Sequence, residues 1–419
     1  MTAVAHGVRV LVLTLLAAAL ASAADEAQLA LLLKAQTDFN RVDLSATPRF
    51  PDTSACVASQ AALLPVSSAA DLPLVYYRKG DCALIGATLT HYAALFTEAE
   101  ADFRKAIESW PGRVALQPRK TTPEPLSAAL PVLLAITRLL QSPGDAAVRT
   151  SAQHDLAAAL AAPSCPASVM PAAACQTDLR LGREWLGWIA IEDDKLPEAA
   201  QQFSAFPDSG WPAWVAGREA FIAGNYRESA EKYRSAVDVW QGGESQRLAP
   251  QPDLGLALTD LGGALLASGD ATGAITVLDR AIKADPAHAR SFFYRARAKE
   301  MAGRADSALA DYVLASRTAF ASARDLASGE AHFYRGIAAY RRKEFARAED
   351  EFSSALNFSI PDSLRADATA WRHLSAVAAG SCGASAGLLS RDLPSVSPFF
   401  PKREAASLMS ACPKTASVN

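Results

Sequence analysis

A spacing of small and large residues that recurs five times between residues 180 and 361 constrains this chain more than any other feature. Each unit has a small residue in a first predicted helix, a small residue in a second helix, and a large residue four positions later. Residues four apart share a helix face, so the small residues let two helices approach while the large side chain fills the gap beside them. The pattern therefore predicts closely packed helix pairs. The small residues are Gly187, Gly217, Gly262, Ala296 and Gly336 in the first helices and Ala199, Ser229, Ala274, Ala308 and Ala348 in the second; the large residues are Phe203, Tyr233, Leu278, Tyr312 and Phe352.

The composition agrees with a folded helical chain and argues against two classes of partner. Half of the 419 residues are apolar and a fifth are charged, as in folded proteins with a large core. Ala is abundant and runs of β-branched residues are few, which favours helix. A net charge of only -3 provides no basic face for nucleic acid and no polybasic patch for an anionic membrane.

The repeated pattern resembles the tetratricopeptide repeat family, in which helix A carries a Leu-Gly pair and helix B carries the spacing A-x-x-x-F-x-x-A. Leu261 and Gly262 supply the pair, and Ala274, Leu278 and Ala281 supply the spacing. The resemblance implies an all-α fold: a right-handed superhelix of antiparallel helix pairs with a helical N-terminal lead-in and a C-terminal capping helix. The five units start near Arg180, Gly210, Gly255, Ala289 and Gly329.

These patterns divide the chain into five predicted regions. Residues 1–23 are a signal peptide, and residues 24–112 are a helical region with a possible degenerate repeat. Residues 113–178 form a helical connector with a Cys-containing loop, and residues 179–361 form the array. Residues 362–419 hold the capping helix and a tail that is predicted to be loop-rich beyond Gly380.

The N-terminus and the cysteines predict export to the periplasm or the medium. Arg9 precedes a short apolar run over residues 10–20, and Ala21-Ser22-Ala23 follows as a cleavage site. The mature chain would start near Ala24 and have no membrane span; the alternative is an uncleaved anchor. Six cysteines in an exported chain suggest disulfides, with buried free thiols as the alternative. Their spacing favours the local pairs Cys56–Cys82, Cys165–Cys175 and Cys382–Cys412.

The resemblance also implies a partner-binding surface, because helix A lines the concave side of the superhelix in this family. A row of aromatic rings and guanidinium groups suits an extended peptide that carries carboxylates, or a partner helix. The alternative is that the aromatic residues pack one helix on the next and the Arg side chains are merely solvated. The predicted partner-binding residues are Trp188, Trp214, Arg218, Phe221, Phe293, Arg297, Phe333, Tyr340 and Arg341.

The sequence contains little that indicates catalysis. Residues 383–387 read Gly-Ala-Ser-Ala-Gly, but a nucleophile elbow of this form needs a preceding strand, and a flexible loop is predicted there. We therefore expect no catalytic residue, no metal site and no cofactor. The leading interpretation is a non-enzymatic protein–protein interaction scaffold. The alternatives are an assembly factor of an envelope complex that acts through its N-terminal region or tail, and an enzyme or ligand-binding protein with a site in residues 24–178.

Overall fold

The computed structural model describes an all-α chain, as the sequence predicts. It describes residues 26–44, 50–69, 71–110, 126–142, 144–161, 163–166, 172–242, 248–250, 253–321 and 325–412. Within these residues it contains nineteen α-helices and one short 3-10 helix, and no strand. The chain forms two compact units, which consist of residues 1–205 with 244–251 and residues 206–243 with 252–419. The predicted signal peptide lies outside the described residues.

Unit 1 contains eight of these helices. They are α1 (Glu26–Leu44), α2 (Phe50–Leu63), α3 (Leu72–Thr90), α4 (Ala93–Ser109), α5 (Ala129–Gln141), α6 (Ala146–Ala161), α7 (Ala172–Glu192) and α8 (Leu196–Phe203). Its core centres on α5, whose side chains Leu130, Leu133 and Ile136 are almost completely buried. They recur at helical spacing, so one apolar face of α5 is covered by neighbouring helices.

Unit 2 contains the other eleven helices, and successive helices from α9 to α18 pack against one another along it. They are α9 (Trp211–Ile222), α10 (Tyr226–Gly242), α11 (Leu254–Ala267), α12 (Ala271–Ala284), α13 (Ala289–Met301), α14 (Ala305–Ala321), α15 (Asp325–Arg341), α16 (Phe345–Leu356), α17 (Asp362–Ala378), α18 (Gly383–Asp392) and α19 (Lys402–Ala411). Two helices begin at Asp residues whose carboxylates accept backbone N–H groups: Asp253 for α11 and Asp270 for α12.

The small residues of the pattern lie where two helices come closest. A Cβ atom built on Gly262 would lie 2.5 Å from the Cγ atom of Leu278, and one on Gly336 would lie 2.7 Å from the Phe352 ring. In unit 1 a Cβ atom on Gly187 would lie 2.5 Å from the ring of Phe203. Real Cβ atoms do not approach other atoms so closely, so helix pairs at this distance need Gly.

The described residues contain the three local disulfides that the cysteine spacing favours. Cys56 bonds to Cys82, Cys165 to Cys175 and Cys382 to Cys412, with Cα–Cα distances of 6.0, 5.7 and 5.5 Å. The alternative of buried free thiols is therefore wrong for all three pairs.

The tail differs from its prediction. Residues beyond Gly380 were expected to be loop-rich, but α18, the 3-10 helix Leu393–Ser395 and α19 account for most of them. The Gly-Ala-Ser-Ala-Gly sequence forms the start of α18 rather than a flexible loop, and Cys382 is its N-cap residue. Leu388 and Leu389 follow the sequence directly, and Leu389 is fully buried, so apolar packing outweighs the local flexibility of Gly.

No helix among the described residues is long and apolar enough to cross a membrane.

Candidate partner-binding surface

The predicted row of aromatic residues lies on helices α9, α13 and α15 of unit 2, and most of its rings are buried. Trp214, Phe293 and Phe333 are 4%, 6% and 1% exposed. The Phe333 ring lies 6.0 Å from Phe293 and 5.9 Å from Phe352, between centroids. The packing interpretation thus describes Phe333, because its ring fills space between helices.

Trp188 lies apart from this row, on α7 of unit 1. Its half-buried ring packs edge-on against Trp185 at 5.3 Å between centroids. The Trp185 indole donates a hydrogen bond to the backbone oxygen of Leu248 at 2.7 Å. Trp188 therefore belongs to the aromatic packing of unit 1.

A polar cluster surrounds Trp214 on α9. The Arg218 guanidinium lies over the Trp214 ring at 5.6 Å, and the indole N–H donates a hydrogen bond to Asp260 at 3.1 Å. Burial raises the pKa of Asp260 from 3.8 to about 6, although the charges of Arg290 and Arg218 act in the opposite direction. Asp260 is thus a carboxyl group that binds a proton more readily than usual.

A short stretch of the chain's own C-terminal region, residues 396–404, covers much of the predicted surface; we name it the tail segment. The Phe399 ring lies 4.5 Å from Tyr294, 6.2 Å from Phe221 and 6.4 Å from Phe293, between centroids. Phe400 packs edge-on against Trp371 of α17 at 5.4 Å. Both Phe rings are buried, at 8% and 3% exposed, so the tail segment is well anchored on unit 2.

Charged side chains hold the backbone and the end of the tail segment. The Nε atom of Arg297 donates a hydrogen bond to the backbone oxygen of Phe399 at 2.7 Å. An Nη1 atom of Arg341 pairs with the Glu404 carboxylate at 2.7 Å, and the Tyr340 hydroxyl donates to the same carboxylate at 3.0 Å. Glu300 forms ion pairs with both Arg297 and Arg341, so two guanidinium groups share one internal counter-charge.

A buried carboxylate holds the start of the tail segment. Asp367 of α17 accepts hydrogen bonds from the backbone N–H of Ser397 at 2.8 Å and from its hydroxyl at 2.5 Å. Burial raises the pKa of Asp367, and these two hydrogen bonds act in the opposite direction.

The structure corrects one property of the predicted site. The alternative that the Arg side chains are merely solvated is wrong for Arg297, which is only 8% exposed because the tail segment and Glu300 enclose it. Arg218 and Phe221 are half-buried. The predicted residues Phe221, Phe293, Arg297, Tyr340 and Arg341 thus meet on one surface, in contact with or directly beside the tail segment.

Sequence reasoning missed five of the residues that complete this surface, namely Asp260, Tyr294, Asp367, Phe399 and Glu404. One signal was available: two adjacent Phe residues flanked by Pro398 and Pro401. The others lie at positions where the repeat pattern has no fixed residue.

No metal site is found in the parts of the chain that the structure describes. No group of three or more His, Cys, Asp or Glu side chains there could hold a metal ion. Within residues 24–178, a cavity of about 160 Å³ lies beside Phe50, Thr53, Cys82 and Leu95. Its lining contains no acid, base or free thiol, because Cys82 is in a disulfide.

Comparison with known proteins places the repeats in a family. Residues 259–323 and 313–368 match the tetratricopeptide repeat family, while no curated protein matches the sequence. The solved structures that are similar to this chain include the following three. A Rap protein complexed with competence and sporulation factor has 12% identity and a TM-score of 0.45, with 67% of this chain and 79% of that chain covered. A tetratricopeptide repeat protein from Parabacteroides merdae has 15% identity and a TM-score of 0.36, covering 74% and 99%. Yeast Tom70 has 10% identity and a TM-score of 0.35, covering 91% and 88%.

The family match spans helices α11 to α17, which include the helix pairs whose close approach at Gly262 and Gly336 is described above. The repeat pattern, the helix pairs and the sequence match agree, and residues 259–368 of this chain consist of tetratricopeptide repeats.

Proposed function

We propose that this protein is an exported interaction scaffold that binds a short non-helical segment of a partner protein on the helix A surface of unit 2. Tetratricopeptide repeats are protein-binding modules, which supports the general role. The observation that carries the specific proposal is the tail segment itself. A stretch of polypeptide already lies on the predicted residues and is held there by contacts of the kind that a peptide ligand receives.

The surface offers three kinds of contact in one place. Phe293 and Tyr294 provide flat apolar area, Arg297 donates to a backbone oxygen, and Arg341 pairs with a carboxylate. Aromatic plates and guanidinium groups lose little conformational entropy on binding and dominate many protein interfaces. The hydrogen bond from Arg297 to a backbone oxygen is possible for bound segments of many sequences. The ion pair with Arg341 selects those segments that carry a carboxylate at the matching position.

Arg218 extends this chemistry beyond the tail segment. It follows Gly217 directly on α9, as Arg297 follows Ala296 on α13, so the two Arg residues hold the same position in their repeats. Equivalent positions of stacked helix pairs fall in a row. We therefore expect Arg218 to contact a partner segment that continues past Phe221.

Export is the second part of the proposal. The charged, apolar and small-residue layout of the N-terminus is typical of a signal peptide. The three disulfides support an oxidising compartment, such as a periplasm or an extracellular medium.

A peptide-display screen tests the binding surface. Random ten-residue peptides would be selected on the full chain and, in parallel, on the full chain carrying Cys382→Ser with Cys412→Ser. That double change leaves the surface intact and loosens the tail segment. We expect the screen to enrich peptides. Arg218→Ala should raise the Kd of these peptides about tenfold, which corresponds to about 1.4 kcal/mol, because a desolvated contact is lost.

The matched control is Arg280→Ala on α12, where the guanidinium donates to Gln241 on the exposed face of the helix. It should leave the Kd unchanged. If neither chain enriches any peptide, or if Arg218→Ala binds the enriched peptides as tightly as wild type, partner binding by this surface is excluded. The N-terminal region or α18 would then be the place to search.

A further inference from the structure

Residues 396–401 of the tail segment are not helical, unlike the helices of the array. Residues 397–400 form a turn in which the N–H of Phe400 donates to the backbone oxygen of Ser397 at 3.3 Å. Pro398 occupies the second position of this turn, which Pro favours because its φ angle is already set. The turn exposes Pro398 to solvent and directs the two Phe rings onto unit 2.

The contacts of the tail segment are those of a bound ligand rather than of a helix pair. Helix pairs in this chain meet through a small residue facing a large one, as at Gly262 and Leu278. The tail segment is held instead through its backbone by Arg297 and Asp367 and through the side-chain carboxylate of Glu404 by Arg341. Its outer side stays in water: Lys402 and Arg403 are exposed, and the Glu404 side chain is 36% exposed.

The Cys382–Cys412 disulfide keeps the tail segment close to the predicted partner-binding surface. Cys382 precedes α18 and Cys412 follows α19, so the bond closes a loop of 30 residues that contains the whole tail segment. A tethered ligand acts at a high effective concentration, on the order of millimolar for a short flexible linker. An external segment must compete against that concentration, and opening the disulfide loop lowers it.

From these three observations we infer that residues 396–404 occupy the partner-binding surface in cis, and that the partner's segment carries the same chemistry. That chemistry is a Pro-containing turn with two adjacent aromatic residues, followed four positions later by a carboxylate. The inference rests on the proposed function and names the class of segment that the scaffold takes. The tail segment therefore acts as a built-in competitor that the partner must displace.

A peptide with the sequence of residues 394–407 provides the probe. The labelled peptide would be titrated with the full chain and with the Cys382→Ser, Cys412→Ser chain, and its fluorescence anisotropy would give both Kd values. We expect binding to the disulfide-free chain to be at least tenfold tighter, because its own tail segment competes less. Replacing both Phe residues of the peptide by Ala, or its Glu by Gln, should weaken binding at least tenfold.

The control chain carries Cys165→Ser with Cys175→Ser, which removes a disulfide of unit 1 and leaves the tail segment tethered. It should bind the peptide as weakly as wild type does. Circular dichroism melting verifies that each chain is folded. If the disulfide-free chain does not fold, the chain with Phe399→Ala and Glu404→Gln takes its place, since it loosens the tail segment while keeping every disulfide.

Each of three results would overturn the inference. Equal Kd values for the tethered and loosened chains, or no binding to a folded loosened chain, would show that the tail segment is a permanent part of the fold. A dimer of the loosened chain in light scattering, dispersed by the peptide, would show that the competing ligand is a second copy. If the tail segment proves to be a permanent part of the fold, peptides from the display screen that depend on Arg218 would still support the proposed function. Failure of the inference can thus be distinguished from failure of the proposed function.

Discussion

Asp260 is a carboxyl residue of unit 2 whose ionisation is changed by its burial in the fold. It accepts a hydrogen bond from Trp214 and feels the positive charges of Arg218 and Arg290, while Asp253 adds a negative charge. Burial outweighs the two guanidinium groups, and the pKa rises to about 6. At neutral pH Asp260 is therefore charged although its surroundings favour the neutral form, and it lies next to the residues proposed to bind a partner.

This pKa predicts how stability depends on pH. Between about pH 4 and pH 6 the folded chain binds a proton at Asp260 that the unfolded chain has released, so the free energy of unfolding falls as pH rises through this range and then levels off. Asp260→Asn keeps an oxygen to accept from Trp214 but carries no charge. We expect it to stabilise the protein at pH 7 by about 1–3 kcal/mol. Most of this range lies below the full free energy of the pKa shift, because Asp260 is partly exposed and solvent screens its charge.

Urea unfolding at pH 4, 5 and 7 measures this difference. The gain should shrink towards zero at pH 4, where the wild-type carboxyl group is protonated in the folded state. Asp238→Asn, at an exposed position of α10, serves as the control and should change little at any of the three pH values. A gain that is larger at pH 4 than at pH 7 would contradict the assigned direction of the pKa shift.

At the scale of the element, the close approach of helix pairs depends on single Gly positions. Gly262→Ala places a Cβ atom where Leu278 already lies, 2.5 Å away, so α11 and α12 must separate or Leu278 must leave its rotamer. Overpacking of this kind costs about 1–3 kcal/mol. We expect Gly262→Ala to lower the free energy of unfolding by that amount, measured by urea titration.

The matched control is Gly387→Ala in the middle of α18, where an added Cβ atom meets nothing within 4 Å. The same chemical change should stabilise this helix by about 0.5–1 kcal/mol, because Ala restricts the unfolded chain more than Gly does. If the two variants shift stability in the same direction, the close packing at Gly262 does not limit the helix pair.

Helix α18 shows how packing overrides local sequence signals. Its Gly- and Ser-rich start is typical of a loop, yet Leu389 is fully buried and His373 of α17 contacts Asp392 at 2.8 Å. These contacts come from an element that precedes α18 in the chain. The sequence of residues 383–387 alone carries no information about these contacts.

At the scale of the whole molecule, disulfides occur in both units. Two bonds lie in unit 1 and one in unit 2, and they close loops of 26, 10 and 30 residues. In the chain-entropy model each is worth roughly 2–4 kcal/mol through restriction of the unfolded chain. Such bonds are common in oxidising compartments and rare in a reducing cytosol.

Export predicts a specific mass for the protein purified from its native host. We expect an intact mass that corresponds to a chain starting at or near Ala24 and lacking six hydrogen atoms relative to the reduced form, because three disulfides are present. Mass spectrometry with and without reductant measures both features. A chain that starts at Met1 with six alkylated thiols would contradict export.

The helix pairs and the disulfide pairs could be predicted from the sequence because each depends on residues that are near one another in the chain. Gly262 and Leu278 belong to adjacent helices, and the two Cys residues of each bond are at most 30 positions apart. At such separations, helical periodicity and short loops leave few alternatives. The candidate residues Arg297, Tyr340 and Arg341 were also identified, because equivalent positions of a repeat face one direction.

What covers those residues was decided by tertiary structure. Arg297 binds the backbone of Phe399 across 102 positions, and Arg341 binds Glu404 across 63. Helical periodicity places a guanidinium group on a face but carries no information about a segment that arrives from so far along the chain. The position of the tail segment on this surface depends on the Pro398 turn, the Cys382–Cys412 bond and the carboxylate of Asp367 acting together. Those three features are far apart in the sequence or unrelated in pattern, so their joint effect exists only once the chain has folded.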